Sequence, residues 1–450
     1  EKFEDHLSVC PADIHALDGD WIDAPASEEI ELKRPSTDDL IYVIFTSGST
    51  GEPKGVMLEH SGIVNQINWL SEYYGFTGED ATLHKTPYTF DISILEFFPP
   101  VMTGGRLVIA KAEGHKDNAY LAGLIEEEEI NLIHFVPSML QSFVSSLEDG
   151  DFNSNQLKSM RLAFACGEAL PSALAHDFAR LAPASHLHNL YGPAEASADV
   201  SYFDCHDIVE EGVVSIGKPM WNTRLYILDN DLQPCPVGVI GELHISGICL
   251  ARGYMQRQDL TDEKFIPNSF SDEPTFERIY KTGDLVRLES DGNITFIGRK
   301  DFQIKLRGLR IELGEIEALL NAHDDIIQAV AEVRNEQLVV FCQARTSETE
   351  EALKTYLADL LPAYMVPEHF IYVEDFVKTV SGKIDRKELP EVEALVQEYV
   401  APEGETEVTL AKLWQELLGV EQIGRFDDFF KLGGHSLKVT RLCSAIRKKL

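Results

Sequence analysis

Residues 45–55 read FTSGSTGEPKG and overlap the end of the apolar run LIYVIF. Thr46, Ser47, Ser49 and Thr50 supply hydroxyl donors. Gly48 and Gly51 let backbone N–H groups turn toward an anion, and Lys54 adds a mobile positive charge. This combination suits gripping and then releasing a polyphosphate. A flexible Gly/Ser surface loop is the bland alternative for a generic stretch, but the ordered string directly after a strand favours phosphate. It is not the GxxxxGK[ST] loop of nucleotide hydrolases, because Pro53 stands where the second glycine belongs.

Further polar strings follow in order. FDIS occupies 90–93, NLYGPAE 189–195, GELHISGICLARGY 241–254 and YKTGDL 280–285. GRKDFQIKLRGLRIELGEIE fills 298–317, LPAYMVP 361–367, SGKIDR 381–386 and DDFFKLGGHSL 427–437. Together with the phosphate loop, this series resembles the adenylate-forming superfamily: acyl-CoA synthetases, luciferases and the adenylation domains of nonribosomal peptide synthetases. The last string resembles the site on peptidyl carrier domains that accepts phosphopantetheine. The resemblance spans nearly the whole chain.

The resemblance implies an ATP-dependent ligase. A carboxylate attacks the α-phosphate, pyrophosphate leaves, and the acyl group passes to a thiol. Glu195 resembles the Mg²⁺ ligand. Asp284 resembles the ribose-binding carboxylate, with Arg299 nearby, and Tyr191 the ring that stacks on adenine. Asn189, Gly167 and Glu168 belong to the segments lining the nucleoside site. Lys383 resembles the lysine that bridges the substrate carboxylate and the α-phosphate, and Asp301 matches the hinge about which a small domain swings. Ser436 resembles the attachment serine for phosphopantetheine, which a phosphopantetheinyl transferase installs. Other synthetase domains, such as condensation or thioesterase domains, are the implied partners. Two positions depart from the pattern: Ala194 replaces a usual Thr, which slows adenylation if that hydroxyl touches the α-phosphate, and Ser381 replaces a usual Asn. Family members are longer at both ends, so the resemblance implies an N-terminally and C-terminally truncated piece.

Asp91 separates subfamilies. A carboxylate there pairs with the α-ammonium of an amino acid, whereas a fatty or aryl acid gains nothing from it. By motif alignment the pocket reads Asp91, Ile92, Leu95, His134, Phe164, Cys166, Leu190, Ala198 and Asp199, with Lys383 at its mouth. His134 and Asp199 would end an apolar slot with two polar groups that bind a small hydroxyl. The pattern is similar to serine-activating pockets. Leu95 and Ala198 are smaller than the usual residues and leave room for a longer hydroxylated, amide or amine side chain. The alternative for His134 is an ordinary core histidine. At the level of function, two alternatives stand: an acyl-CoA or aryl-acid ligase, and a non-adenylating carrier fragment.

These residues need elements to hold them. LIYVIF reads as a buried strand, residues 59–74 as an amphipathic helix, and RLVIA, NLIHFV, RLAFAC and TRLYIL as strands. ELGEIEALLNAH and ETEEALKTYLADLL read as helices, the second stopped at Pro362, around the strands IIQAVAEV and EQLVVFCQA. LAKLWQELLGV is a further amphipathic helix, and a last helix starts at Ser436. The expected organisation is an incomplete α/β large adenylation core over 1–300, a small α+β C-terminal subdomain over 301–392, a linker over 393–407 and a partial all-α carrier bundle over 408–450.

Composition bounds the rest. A formal charge of -36 argues against nucleic acid or an anionic membrane as partner. No apolar run reaches the ~18 residues of a membrane span. The chain opens EKFEDH, with neither a signal-peptide pattern nor a methionine, so residue 1 is not expected to be a natural start. Seven scattered cysteines without a CxxC pair suit neither a disulfide framework nor a zinc site. Reduced thiols and a cytoplasmic location are the expectation.

Overall fold

The structure is a computed structural model. It describes residues 34–46, 53–208, 212–300, 303–306, 309–334, 337–345, 350–377, 384, 386–390, 400–420 and 422–427, with Phe429, Leu432, Val439, Leu442, Ala445 and Ile446.

The chain first forms β1 (Leu40–Thr46), β2 (Lys54–Glu59) and helix α1 (His60–Tyr74). Then come β3 (Ala81–His84), α2 (Ile94–Thr103), β4 (Arg106–Ile109), α3 (Asn118–Glu127), β5 (Leu132–Phe135) and α4 (Pro137–Glu148). β6 (Leu162–Ala165), α5 (Ser172–Leu181), β7 (His186–Tyr191), β8 (Ser201–Asp204) and β9 (Lys218–Pro219) complete a seven-stranded sheet in the order β4-β3-β5-β6-β7-β8-β9. Strands β4, β3, β5, β6 and β7 run parallel, and the central β5 and β6 are short, mostly apolar runs because both their faces are covered. One face packs on α3, α4 and α5 through Phe135, Phe143, Leu121 and Phe178. The other carries Leu132, Leu162, Phe164 and Leu190 against Trp69 and Leu70 of α1.

Next come β10 (Thr223–Leu228), β11 (Ile240–Gly247), β12 (Gly253–Tyr254), α6 (Gln258–Lys264), β13 (Phe265–Pro267), β14 (Arg278–Leu288) and β15 (Ile294–Arg299). β12 joins β2 and β1 in a three-stranded sheet, and the others form an antiparallel sheet. β1 is less buried than its run of apolar residues suggests: only Ile44 is buried, and Phe45 is 62% exposed. The reason is its place at the edge of the β1-β2-β12 sheet.

β16 (Gln303–Leu306), β17 (Leu309–Glu312), α7 (Leu313–Asn321), β18 (Ile326–Arg334), β19 (Gln337–Ala344), α8 (Glu350–Ala358) and β20 (His369–Tyr372) form a separate α+β cluster around Ile316, Val340 and Leu357. α8 ends at Ala358, ahead of Pro362 and short of the expected stop. Helix α9 (Gly404–Leu418) starts earlier than the LAKLWQELLGV pattern suggested and ends at Gly419, in the left-handed conformation that favours glycine. It packs through Leu413 on Phe429 and Leu442. Among the described residues, no helix is long and apolar enough to cross a membrane.

Candidate active site

The hairpin register sets Thr46 opposite Lys54, at the ends of β1 and β2 on either side of the expected phosphate loop. Lys54 is not the mobile charge that the sequence suggested. It is buried, with Nζ 3.2 Å from Glu195 Oε1 and 4.8 Å from the Tyr254 ring centroid. The pairing of β2 with β12 brings Tyr254 over it. The Tyr254 hydroxyl donates to the same Glu195 oxygen at 2.8 Å. Glu195 is wholly buried, and Thr46 Oγ1 is buried without a hydrogen-bond partner among the described residues. A wholly buried carboxylate is the kind of hard oxygen donor that would hold a divalent cation. Ser47, Gly48, Ser49, Thr50 and Gly51 lie outside the described residues.

Asp284 and Arg299 face each other across the β14–β15 register, and the guanidinium donates to the carboxylate at 2.6 Å. Tyr191, at the end of β7, donates its hydroxyl to the other Asp284 oxygen. Burial, and then the Asp284 charge, raise the Tyr191 phenol well above its ordinary pKa, so it stays a donor. The three residues form one polar group at the carboxyl end of the parallel strands, where open α/β sheets bind ligands. Asn189 donates its amide to the Ser215 carbonyl at 2.8 Å. Gly167 takes φ +90°, and Glu168 accepts from the Ser138 N–H at 2.9 Å in the first turn of α4.

Ile92, Leu95, Phe164, Cys166, Leu190 and Ala198 converge in one apolar cluster. His134 is 4% exposed and stacks on Phe164 with ring centroids 4.9 Å apart. Neither ring nitrogen has a partner among the described residues, and burial pushes its pKa down to about 4. Asp199 is buried next to Ala198, in the 197–199 segment that walls this cluster. That wall is strained: Ser197 and Ala198 take φ of 57° and 72°. Ser197 Oγ anchors it by donating to the Cys249 carbonyl at 2.7 Å. A Cβ on Gly192 would come within 2.1 Å of the Ala198 carbonyl, so the turn and the wall are set together. Asp91 opens a 3₁₀ turn ahead of α2 and accepts from the Ile92 N–H at 2.9 Å. Burial, with the Asp91 charge, raises the pKa of the Tyr42 phenol.

Sequence reading missed two groups of residues. Tyr254 closes the string GELHISGICLARGY, yet nothing local marks it as a partner for Lys54 and Glu195. Glu96, wholly buried on α2, accepts from His84 Nδ1 at 2.7 Å, from the Lys85 and Thr86 N–H groups at 3.0 Å each, and from Thr86 Oγ1 at 2.7 Å. It thereby ties both ends of the 85–91 loop that carries Asp91. Burial alone would raise its pKa, but the His84 hydrogen bond and the Lys85 charge hold it below the usual range. Asp301, Lys383 and Ser436 lie outside the described residues.

Comparison with known proteins places this geometry. Residues 5–255 match the AMP-binding enzyme family, 315–383 the AMP-binding enzyme C-terminal domain and 408–450 the phosphopantetheine attachment site. The chain is 45% identical over 419 residues to tyrocidine synthase 3 of Brevibacillus parabrevis, covering 91% of this chain and 6% of that protein. It is 44% identical over 398 residues to zwittermicin A synthase ZmaJ of Bacillus cereus, covering 86% and 74%. Phosphinothricin tripeptide synthetase PhsB of Streptomyces viridochromogenes is 43% identical over 419 residues; 90% of this chain matches 34% of it. The chain thus spans only a minor part of the longer of these synthetases. Among solved structures, holo-PA1221, an NRPS protein with adenylation and PCP domains, superposes with a TM-score of 0.76 at 27% identity, covering 94% of this chain and 70% of that one. The chain therefore belongs to the AMP-binding enzyme family, as an adenylation and carrier segment of a nonribosomal peptide synthetase, an ATP-using ligase.

Proposed function

We propose that this chain activates serine or a similarly small polar amino acid. The observation that carries the reading is the convergence of the pocket positions on one apolar cluster, with a neutral His134 stacked on Phe164 whose ring nitrogens have no hydrogen-bond partner among the described residues.

In this reading Asp91 binds the α-ammonium and His134 with Asp199 the side-chain hydroxyl. The substrate carboxylate is thereby aimed at the α-phosphate. Its oxygen forms the new bond to phosphorus, and the bond to the bridging oxygen of pyrophosphate breaks. Thr46 to Lys54 hold the β- and γ-phosphates. Asp284 and Arg299 hold the ribose, and Tyr191 and the Gly167–Glu168 segment flank the adenine. Lys383 neutralises charge developing between carboxylate and phosphate. Mg²⁺ on Glu195 would supply charge neutralisation at the phosphates. Phosphopantetheine on Ser436 would supply the thiol that receives the aminoacyl group. The reading also includes a phosphopantetheinyl transferase and neighbouring synthetase domains as partners, and a swing about Asp301 between the two half-reactions.

Amino-acid-dependent ATP–pyrophosphate exchange across a panel of amino acids tests this. Exchange with serine or a close polar relative is expected, and Asp91→Asn should raise the amino-acid KM more than tenfold while sparing the ATP KM. Exchange restricted to a large apolar amino acid would sink the pocket assignment. Loading of free coenzyme A with an aryl or fatty acid would favour the other ligase class.

A further inference from the structure

Gln66 sits on α1 and is 3% exposed, yet neither its amide nitrogen nor its amide oxygen has a hydrogen-bond partner among the described residues. Leaving both unmatched in a dry core would be costly, so a partner is expected there.

Helix geometry says where the amide points. One turn before it, a Cβ on Gly62 would lie 2.4 Å from Ser197 Oγ. One turn after it, Trp69 meets Tyr202 with ring centroids 4.7 Å apart. That side of α1 therefore packs on residues 197–202, the wall of Ala198 and Asp199. On the other side, Ile63 and Ile67 pack with Ile94, and Leu70 shares a cluster with Leu95, at the start of α2 beside Asp91. At about 100° per residue Gln66 lies between these two sides, facing the gap between the walls. Beside Ile94, the Ser93 hydroxyl is likewise buried without a partner among the described residues. Ala198 has no side chain beyond Cβ to close the gap.

We propose that Gln66 reads the substrate side chain as a specificity-determining residue of this pocket. Its amide, offering one donor and one acceptor face, selects a side chain ending in a hydroxyl or a primary carboxamide. This rests on the amino-acid-activating reading.

The test compares pyrophosphate exchange by wild type, Gln66→Leu and Gln66→Met. Polar amino acids (serine, asparagine) are set against apolar counterparts of similar size (2-aminobutyrate, leucine). Both variants should lose roughly ten- to hundredfold in kcat/KM for the preferred polar amino acid. The apolar counterpart and the ATP KM should be unaffected, and the thermal midpoint should not fall, since an unmatched buried amide is gone. An unchanged polar-to-apolar ratio, or an equal loss on both, would overturn the role of Gln66 while leaving the activating reading intact. Absence of exchange by wild type with every amino acid would overturn both.

Discussion

His134 is held neutral by the fold. Its pKa falls from an ordinary 6.5 to about 4 because burial penalises the charged ring, with Lys85 adding to the effect and Glu96 opposing it. The unfolded chain takes up a proton near pH 6.5, while the native ring does so only near pH 4. Stability from this residue is therefore complete above pH 6.5 and is lost as pH falls from there toward 4. The loss should be on the order of 2–3 kcal/mol. Thermal midpoints measured between about pH 7 and 4.5 should drop more steeply for wild type than for His134→Gln. Parallel slopes would show that the native ring takes up its proton in the same pH range as in the unfolded chain.

At the scale of elements, the loop between β3 and α2 is held by one carboxylate. Glu96 accepts four hydrogen bonds from His84, Lys85 and Thr86 and balances the buried Lys85 ammonium, whose pKa burial lowers. Glu96→Ala strands these donors and that charge, at a cost of about 3–5 kcal/mol. Glu96→Gln, which keeps an acceptor oxygen, should lose less. Because α2 begins just after Asp91, Glu96→Ala should also raise the KM for the amino acid. A thermal midpoint within experimental error of wild type would refute the clamp.

Among the described residues, the buried apolar clusters do not mix between sequence segments. Those of the seven-stranded sheet and its neighbours draw on residues up to Ile294 and Phe296. The next two draw only on 306–389, and the last only on 413–446. Separate cores unfold separately when little apolar surface joins them. Calorimetry of the chain should accordingly show more than one transition, and a single transition with coincident probes would contradict this.

Much of this protein was legible in order along the chain. Apolar runs between turns named the parallel strands β4, β5 and β6 and the antiparallel strands β1 and β10, because they depend on residue type and local spacing; β3 and β7 went unnamed, and the polar strings supplied candidate site positions. The sequence did not show that Lys54 is locked against Glu195 and Tyr254, contacts separated by 141 and 200 positions. Nor did it show that β1 lies at a sheet edge, so its apolar run is half-exposed. Nothing local in the sequence marks Glu96 or Gln66 as buried. Only the packing of α2 on β3, and of α1 against the strained wall at Ser197 and Ala198, buries them and gives their polarity something to do. Periodicity reports which face of a helix is apolar. What that face meets, and whether a polar group on it finds a partner, is decided by the tertiary structure.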